Sequence, residues 1–193
     1  MNENDVRDKW DAIYRNEPTT HWPVAQVLLD YAYLLPLGGV AIDIACGQGG
    51  NAIFLAQRGL TTRAWDISQV AIDQLQQRSE KMQLPIVAEK INIQADSFAS
   101  LHADVMVVAH YLDRKLIPHL IKSLNNGGLI FYQTFCADKL STDGPKQLDF
   151  LLQTNELLHL FYSLRVLIFR DEGRTGDAQF GFRNKSMIVA QKI

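Results

Sequence analysis

The chain has 193 residues, of which 47% are hydrophobic, and its formal net charge at pH 7 is −2. This length favours one globular domain with a substantial core, and the nearly balanced charge disfavours a general binder of nucleic acid or other polyanions. Apolar runs fall short of the roughly 18 residues that a membrane span needs, and the polar N-terminus lacks a signal-peptide stretch, so we expect a cytoplasmic protein.

The first predicted element is a helix near residues 6–14. Trp10 and Tyr14 share one face of it, because residues four apart are neighbours on a helix. Two interpretations remain open. The aromatic rings cover a ligand, with Trp22 and Pro23 in the same cover, or they anchor a docking helix. We expect residues 1–193 to form one domain, with residues 1–35 as the covering segment.

Strand and helix patterns then alternate, which predicts a mostly parallel sheet with helices on both faces. The predicted strands are 40–45, 61–65, 90–94, 104–109, 129–135, 164–169 and 187–191. The predicted helices are 51–58, 69–82, 115–124 and 154–161. Residues 126–128, Asn-Gly-Gly, predict a stop after the third of these helices, and the turn formers of residues 171–176 predict an antiparallel hairpin between the last two strands.

The loop after the first strand predicts a cofactor cradle. Residues 41–51 read AIDIACGQGGN, in which Gly47 and Gly49 allow a tight turn and the close approach of a ligand between a strand and a helix start. The spacing also satisfies the dinucleotide fingerprint, so an NAD(P) enzyme stays open. Asp43 favours a cationic ligand over a pyrophosphate, and S-adenosylmethionine (SAM) carries a sulfonium and an ammonium but no phosphate. Here the chain resembles the class I SAM-dependent methyltransferases, whose first motif is Asp-x-x-x-Gly-x-Gly.

Asp66 ends the second strand, where the resemblance places an acidic residue that binds both ribose hydroxyls. A carboxylate suits a vicinal diol, because its two oxygens accept charge-assisted hydrogen bonds. Ile67 would pack against the adenine. Alternatively, Asp66 only leads into Ser68, a good helix N-cap.

After the third predicted strand, Asp96 offers a carboxylate to the adenine amino group, and the Asp96–Ser97 segment offers a backbone N–H to the ring. The family commonly has an acid at this point, although aspartate is also ordinary turn chemistry. Together with Ala45, these residues complete the predicted cofactor site. Ala45 stands where many family members have glycine.

His110 follows the fourth strand, beside the first strand in the predicted sheet. It is the candidate general base or substrate contact, and a histidine that only packs against the next helix is the alternative. The chain lacks the Asn/Asp-Pro-Pro-aromatic motif of enzymes that methylate DNA bases. Neither Cys46 and Cys136 nor the acidic residues have metal-ligand spacing, so we expect no metal and no magnesium-assisted catechol reaction.

Nearly the whole chain is similar to the tellurite-resistance and thiopurine types of small methyltransferase, through its Trp-Asp-x-x-Tyr helix, its Asp-x-Ala-Cys-Gly-x-Gly-x-Asn loop and its Trp65-Asp66 pair. The resemblance implies methyl transfer from SAM to a small molecule, possibly a thiol, a chalcogen or a metalloid oxyanion, by a monomer or homodimer. A catalytically inactive SAM-binding protein that acts through a partner remains the alternative.

Overall fold

One sheet forms the centre of the described residues. A computed structural model describes residues 3–16 and 23–193. Its strands are β1 Val40–Ile44, β2 Thr61–Asp66, β3 Ile86–Lys90, β4 Ala103–Ala109, β5 Leu124–Phe135, β6 Arg165–Arg170 and β7 Lys185–Gln191. Their order is β3-β2-β1-β4-β5-β7-β6, in which β7 runs antiparallel to the other six strands. The predicted seven-stranded, mostly parallel sheet with a C-terminal antiparallel hairpin is therefore confirmed.

Helices cover both faces of the sheet. They are α1 Glu3–Asn16, α2 Gln26–Asp30, α3 Gly50–Ala56, α4 Gln69–Met82, α5 Ile117–Ser123 and α6 Glu156–Leu160. The sequence did not predict α2. Within these residues no helix is both long and apolar enough to cross a membrane.

Alternation along the strands divides the core into two layers. Ile42 and Ile44 of β1 pack in the layer that contains α5 and α6, whereas Ala41 packs in the layer that contains α2 and α3. Successive side chains on a strand point to opposite faces, and helices on both sides explain why every residue of β1 except Asp43 is apolar. The same alternation turns Asp43 toward α3.

Two predicted boundaries were wrong. The third strand is Ile86–Lys90 rather than 90–94, because its register with β2 ends at the pair Asp66 and Lys90. The chain then leaves the sheet, with the Ile91 amide bonded to the Asp66 carbonyl. Residues 126–128 do not separate a helix from a strand. They lie inside β5, which begins at Leu124 with a shifted register against β4.

Candidate functional site

A cavity of about 380 Å³ opens at the carboxyl ends of β1, β2 and β4. It is lined by residues 45–51, 66–67, 91–93 and 109–111, together with Val6, Trp10, Tyr14, Pro23 and Ala25. Strand order reverses between β1 and β4, which is the position at which open α/β sheets bind ligands. Of the predicted site residues, the structure brings together Trp10, Tyr14, Ala45, Gly47, Gly49, Asp66, Ile67 and His110.

Three residues with positive φ shape the loop after β1: Ala45 at 54°, Gly47 at 52° and Gly49 at 81°. A Cβ on Gly47 would lie 2.8 Å from the hydroxyl oxygen of Tyr14, and one on Gly49 would lie 2.4 Å from a methyl group of Leu75. A Cβ at either position would force the neighbouring side chain to shift, and the left-handed backbone conformation favours glycine at both. Ala45 has the same left-handed conformation without the freedom of glycine.

Asp43 lies outside the cavity lining, so the structure does not bring this predicted cofactor ligand to the cavity. Its side chain is fully buried. One carboxylate oxygen accepts a hydrogen bond from the Ala52 amide at 3.1 Å, and the other accepts one from the Asn51 side chain at 3.3 Å. Burial raises the pKa of Asp43 to about 7. Asp43 thus fixes the start of α3 against β1 and supports the loop from behind.

Asp66 is buried at the cavity wall and holds two loops. Its Oδ2 accepts from the Gly47 amide at 2.8 Å, and its Oδ1 accepts from the Ser68 amide at 2.9 Å. Burial raises the pKa of Asp66. Each carboxylate oxygen has a second lone pair, which leaves acceptor capacity for a ligand. The alternative interpretation is also seen, since Ser68 caps α4 by accepting from the Ala71 amide.

Helix α1 covers one side of the cavity through two stacked rings. The centroids of Trp10 and Tyr14 lie 5.7 Å apart with 22° between the ring planes, and no residue of α1 is buried. Helix α1 is held to α4 by Asp11, which accepts from the Ser68 hydroxyl and the Val70 amide, and by the Tyr14 carbonyl, which accepts from Gln74. The predicted cover over residues 1–35 includes Trp22, which lies outside the described residues.

Sequence reasoning missed Asp11, although one signal for it was present. Helix α4 has no acidic residue in its first turn. The positive end of a helix dipole favours an anion there, so an acid from another segment can complement it.

Asp96 and Ser97 lie outside the cavity lining. Their predicted place in the site came from the wrong bounds of the third strand. They belong to a short 3₁₀ helix, Ala95–Phe98, in which Asp96 is exposed and the Ser97 hydroxyl accepts from the Gln94 amide. Ile91, Asn92 and Ile93 occupy the corresponding wall of the cavity.

His110 stands at the end of β4 with a φ of 59°. The ring lies 5.4 Å from the ring of Phe135, and its Nε2 is 3.5 Å from the side-chain nitrogen of Gln133. Partial burial, followed by the charge of Lys185, lowers the pKa of His110 to about 4. The ring lines a concave wall, so it is exposed to solvent and still partly surrounded by protein atoms. At neutral pH the imidazole is therefore uncharged.

Two buried polar side chains, also missed in the sequence, hold the N-terminal end of α2. Asn51 accepts from the Ala25 amide at 2.8 Å, and Gln133 accepts from the Val27 amide at 2.9 Å. The two residues of each pair are 26 and 106 positions apart in the chain, so no local sequence pattern indicates either contact. Across residues 3–16 and 23–193, no cluster of three or more His, Cys, Asp or Glu side chains has the geometry of a metal site.

Known proteins resemble this chain over much of its length. The family model described as "Tellurite resistance protein TehB" matches residues 21–175. A protein named "Probable S-adenosyl-L-methionine-dependent methyltransferase TehB" from Haemophilus influenzae (strain 10810) is 25% identical over 135 residues, which cover 67% of this chain and 47% of that protein. The chain thus spans about half the length of this relative.

Two solved structures share the fold. TehB from Haemophilus influenzae superposes with a TM-score of 0.71 at 20% identity, covering 97% of this chain and 67% of that one. The geranyl diphosphate C-methyltransferase of Streptomyces coelicolor A3(2), solved with S-adenosylhomocysteine, superposes with a TM-score of 0.73 at 12% identity, covering 99% and 97%. At these identities the likeness concerns the fold alone, and it confirms the Rossmann-like fold.

Proposed function

The chain belongs to the tellurite resistance protein TehB family, and from that premise we propose that it transfers a methyl group from SAM to a small-molecule acceptor. We propose an acceptor that is already nucleophilic, such as a thiolate, another chalcogen anion or a metalloid oxyanion. The name of the Haemophilus influenzae relative supports the cofactor.

One observation carries the proposal: a buried carboxylate and a stacked aromatic pair lie in the walls of one cavity. Asp66 keeps free lone pairs for a ribose diol, and Trp10 with Tyr14 offers ring faces to a sulfonium. The side chains of Ile67, Ile91 and Ile93 supply an apolar wall that suits adenine. These side chains fit a positively charged nucleoside cofactor without a phosphate, because no lysine or arginine lines the cavity within the described residues.

The chain's own residues would act by alignment and exclusion of water. When bound, SAM supplies an activated methyl group, so its transfer needs mainly orientation of the acceptor in line with the carbon–sulfur bond. The loop of residues 45–51 would hold the methionine end, and the two aromatic rings would shield it from solvent. His110 and Tyr111 lie on the remaining wall, where we propose that the acceptor enters.

The acceptor class follows from the state of His110. A general base works best when its pKa lies near the working pH, whereas the pKa of His110 is lowered to about 4. Such an imidazole is a weak base toward a hydroxyl or a phenol. An acceptor that is already anionic needs no base, which is why we propose a thiolate, a chalcogen or an oxyanion.

Isothermal titration calorimetry with SAM, S-adenosylhomocysteine and NAD(H) tests the cofactor. We expect the first two to bind and Asp66→Ala to abolish that binding. Asp104→Ala is the matched control, because Asp104 also accepts from a backbone amide, Val40 at 2.8 Å, and from a side-chain amide, Asn125 at 2.7 Å, at the opposite end of the sheet. Binding of NAD(H) in place of SAM would overturn the proposal.

A turnover assay with methyl-labelled SAM then separates an enzyme from a binding protein. We expect label to pass to thiols or to metalloid oxyanions. Tight SAM binding without transfer to any acceptor in either class would instead favour an inactive SAM-binding protein that acts through a partner.

A further inference from the structure

The side chain of Gln133 connects the first turn of α2 to His110. Its side chain is almost completely buried, and it lies in β5 opposite Ala109, next to His110. We propose that Gln133 fixes the tautomer of His110, with the ring proton on Nδ1, so that His110 meets the methyl acceptor as a hydrogen-bond donor. In this role Gln133 is a positioning residue.

The orientation of the Gln133 side-chain amide is fixed by the backbone N–H of Val27, which can only donate a hydrogen bond. The backbone N–H of Val27, a fully buried residue, lies 2.9 Å from the Gln133 oxygen. Turning the amide around would set its NH₂ group against that N–H and leave a buried donor without an acceptor. The oxygen therefore faces Val27, and the nitrogen faces the other way.

The same reasoning then applies to the imidazole. The Gln133 nitrogen lies 3.5 Å from His110 Nε2, a long hydrogen-bond distance, and it can only donate. A proton on Nε2 would oppose it, so the neutral ring carries its proton on Nδ1. The backbone supports this arrangement, because the His110 amide donates to the Gln133 carbonyl at 2.9 Å and the ring packs against Phe135.

This assignment changes what His110 offers to a ligand. The lone pair on Nε2 is engaged by Gln133, and within residues 3–16 and 23–193 Nδ1 has no hydrogen-bond partner. Because His110 lines the cavity and its Nε2 faces Gln133, we infer that the Nδ1–H is the group offered to an electron-rich acceptor. The tautomer rests on geometry alone, whereas the role toward the acceptor rests on the proposed function.

Two-dimensional NMR of ¹⁵N-labelled full-length protein without ligand reports the tautomer through the nitrogen shifts of each ring. His110→Asn identifies the His110 signals among those of the five histidines. We expect an Nδ1–H tautomer at pH 8, and an Nε2–H tautomer would overturn the proposal. Because no SAM is needed, this result is independent of the proposed function.

The Gln133→Glu variant should reverse the tautomer of His110. One carboxylate oxygen can still accept from Val27, while the other accepts from His110, so we expect the ring proton to move to Nε2. Gln191→Glu, a glutamine on β7 whose side chain bonds to the Gly127 carbonyl, is the control and keeps the wild-type tautomer. An unchanged tautomer in a folded Gln133→Glu protein would contradict the proposal. If that variant does not fold, the wild-type spectrum still decides.

The rate of methyl transfer tests the role as donor. In His110→Asn the amide N–H can replace Nδ1–H, but the side chain cannot act as a base. A donor role predicts turnover within about tenfold of wild type for His110→Asn and a larger loss for His110→Ala. A general base predicts a loss of about 10²- to 10⁴-fold in both variants, and that outcome would overturn the donor assignment.

Discussion

The hydroxyl of Ser68 donates a hydrogen bond to the carboxylate of Asp11, and this contact joins the N-terminal helix to the start of α4. Ser68 is fully buried, whereas α1 buries none of its own residues. The position of Trp10 and Tyr14 over the cavity therefore depends on a few polar contacts rather than on a packed core.

Loss of the Asp11 carboxylate should release α1 and weaken SAM binding. Asp11→Ala removes two hydrogen bonds to a charged group. We therefore expect the dissociation constant for SAM, measured by calorimetry, to be about ten- to a hundredfold higher. The melting temperature should change little, because α1 buries no residue. Asp8→Ala is the control, since this exposed residue on the same helix pairs with neighbouring Arg7. Wild-type affinity in Asp11→Ala would show that α1 is held by other means.

Trp10→Ala should weaken the binding of SAM more than that of S-adenosylhomocysteine. An aromatic face attracts a cation by about 0.5 to 2 kcal/mol, and only SAM carries the sulfonium. We expect SAM affinity to fall about two- to thirtyfold more than the affinity for S-adenosylhomocysteine, with most of the difference restored in Trp10→Phe. An equal loss for both ligands would mean that Trp10 supplies contact area alone.

Because Ala45 has a left-handed backbone conformation, its replacement by glycine should stabilise the protein. A residue with a Cβ costs about 1–2 kcal/mol in this conformation. Glycine avoids that cost but loses about 0.5–1 kcal/mol through the entropy of the unfolded chain, so Ala45→Gly should raise the free energy of unfolding by about 0.5–1 kcal/mol. Urea denaturation measures this change. Ala41→Gly, at a buried position of β1, should lower the same quantity.

Asp43 should make the protein less stable as the pH rises from about 4 to 7. The pKa of Asp43 is about 7 in the folded chain against an ordinary value of 3.8 for an aspartate, so the folded state binds the extra proton between these values. Stability therefore falls with pH across this window, by an amount on the order of a few kcal/mol. We expect urea denaturation to show a flatter pH dependence for Asp43→Asn than for wild type. Parallel curves would mean that Asp43 stays charged when buried.

Local patterns predicted the parts of the site that depend on neighbouring residues. A strand, two glycines and a helix start lie within residues 41–51, and Trp10 and Tyr14 share a helix face by spacing alone. Those features predicted the loop after β1 and the aromatic pair. Asp66 was also predicted, because the end of a buried apolar strand can be recognised in the sequence.

Residues that depend on distant partners escaped prediction. The pairing of β3 with β2 decides where β3 ends, and an error of four residues placed Asp96 and Ser97 at the cavity in place of Asn92. Asn51 and Gln133 bond to partners 26 and 106 residues away in the chain, so nothing near them in the sequence indicates the contact. The direction of Asp43 follows from strand alternation, which the electrostatic argument for a cationic ligand did not take into account.

Ser68 limits the substitutions that this fold can tolerate. Its hydroxyl accepts from the Ala71 amide while donating to Asp11, and its amide bonds to Asp66. Aspartate caps most helices as well as serine does, but here it would have no hydrogen to donate and would bring a third carboxylate beside Asp11 and Asp66. We therefore expect sequence drift at position 68 to be confined to hydroxyl side chains for as long as α1 is retained.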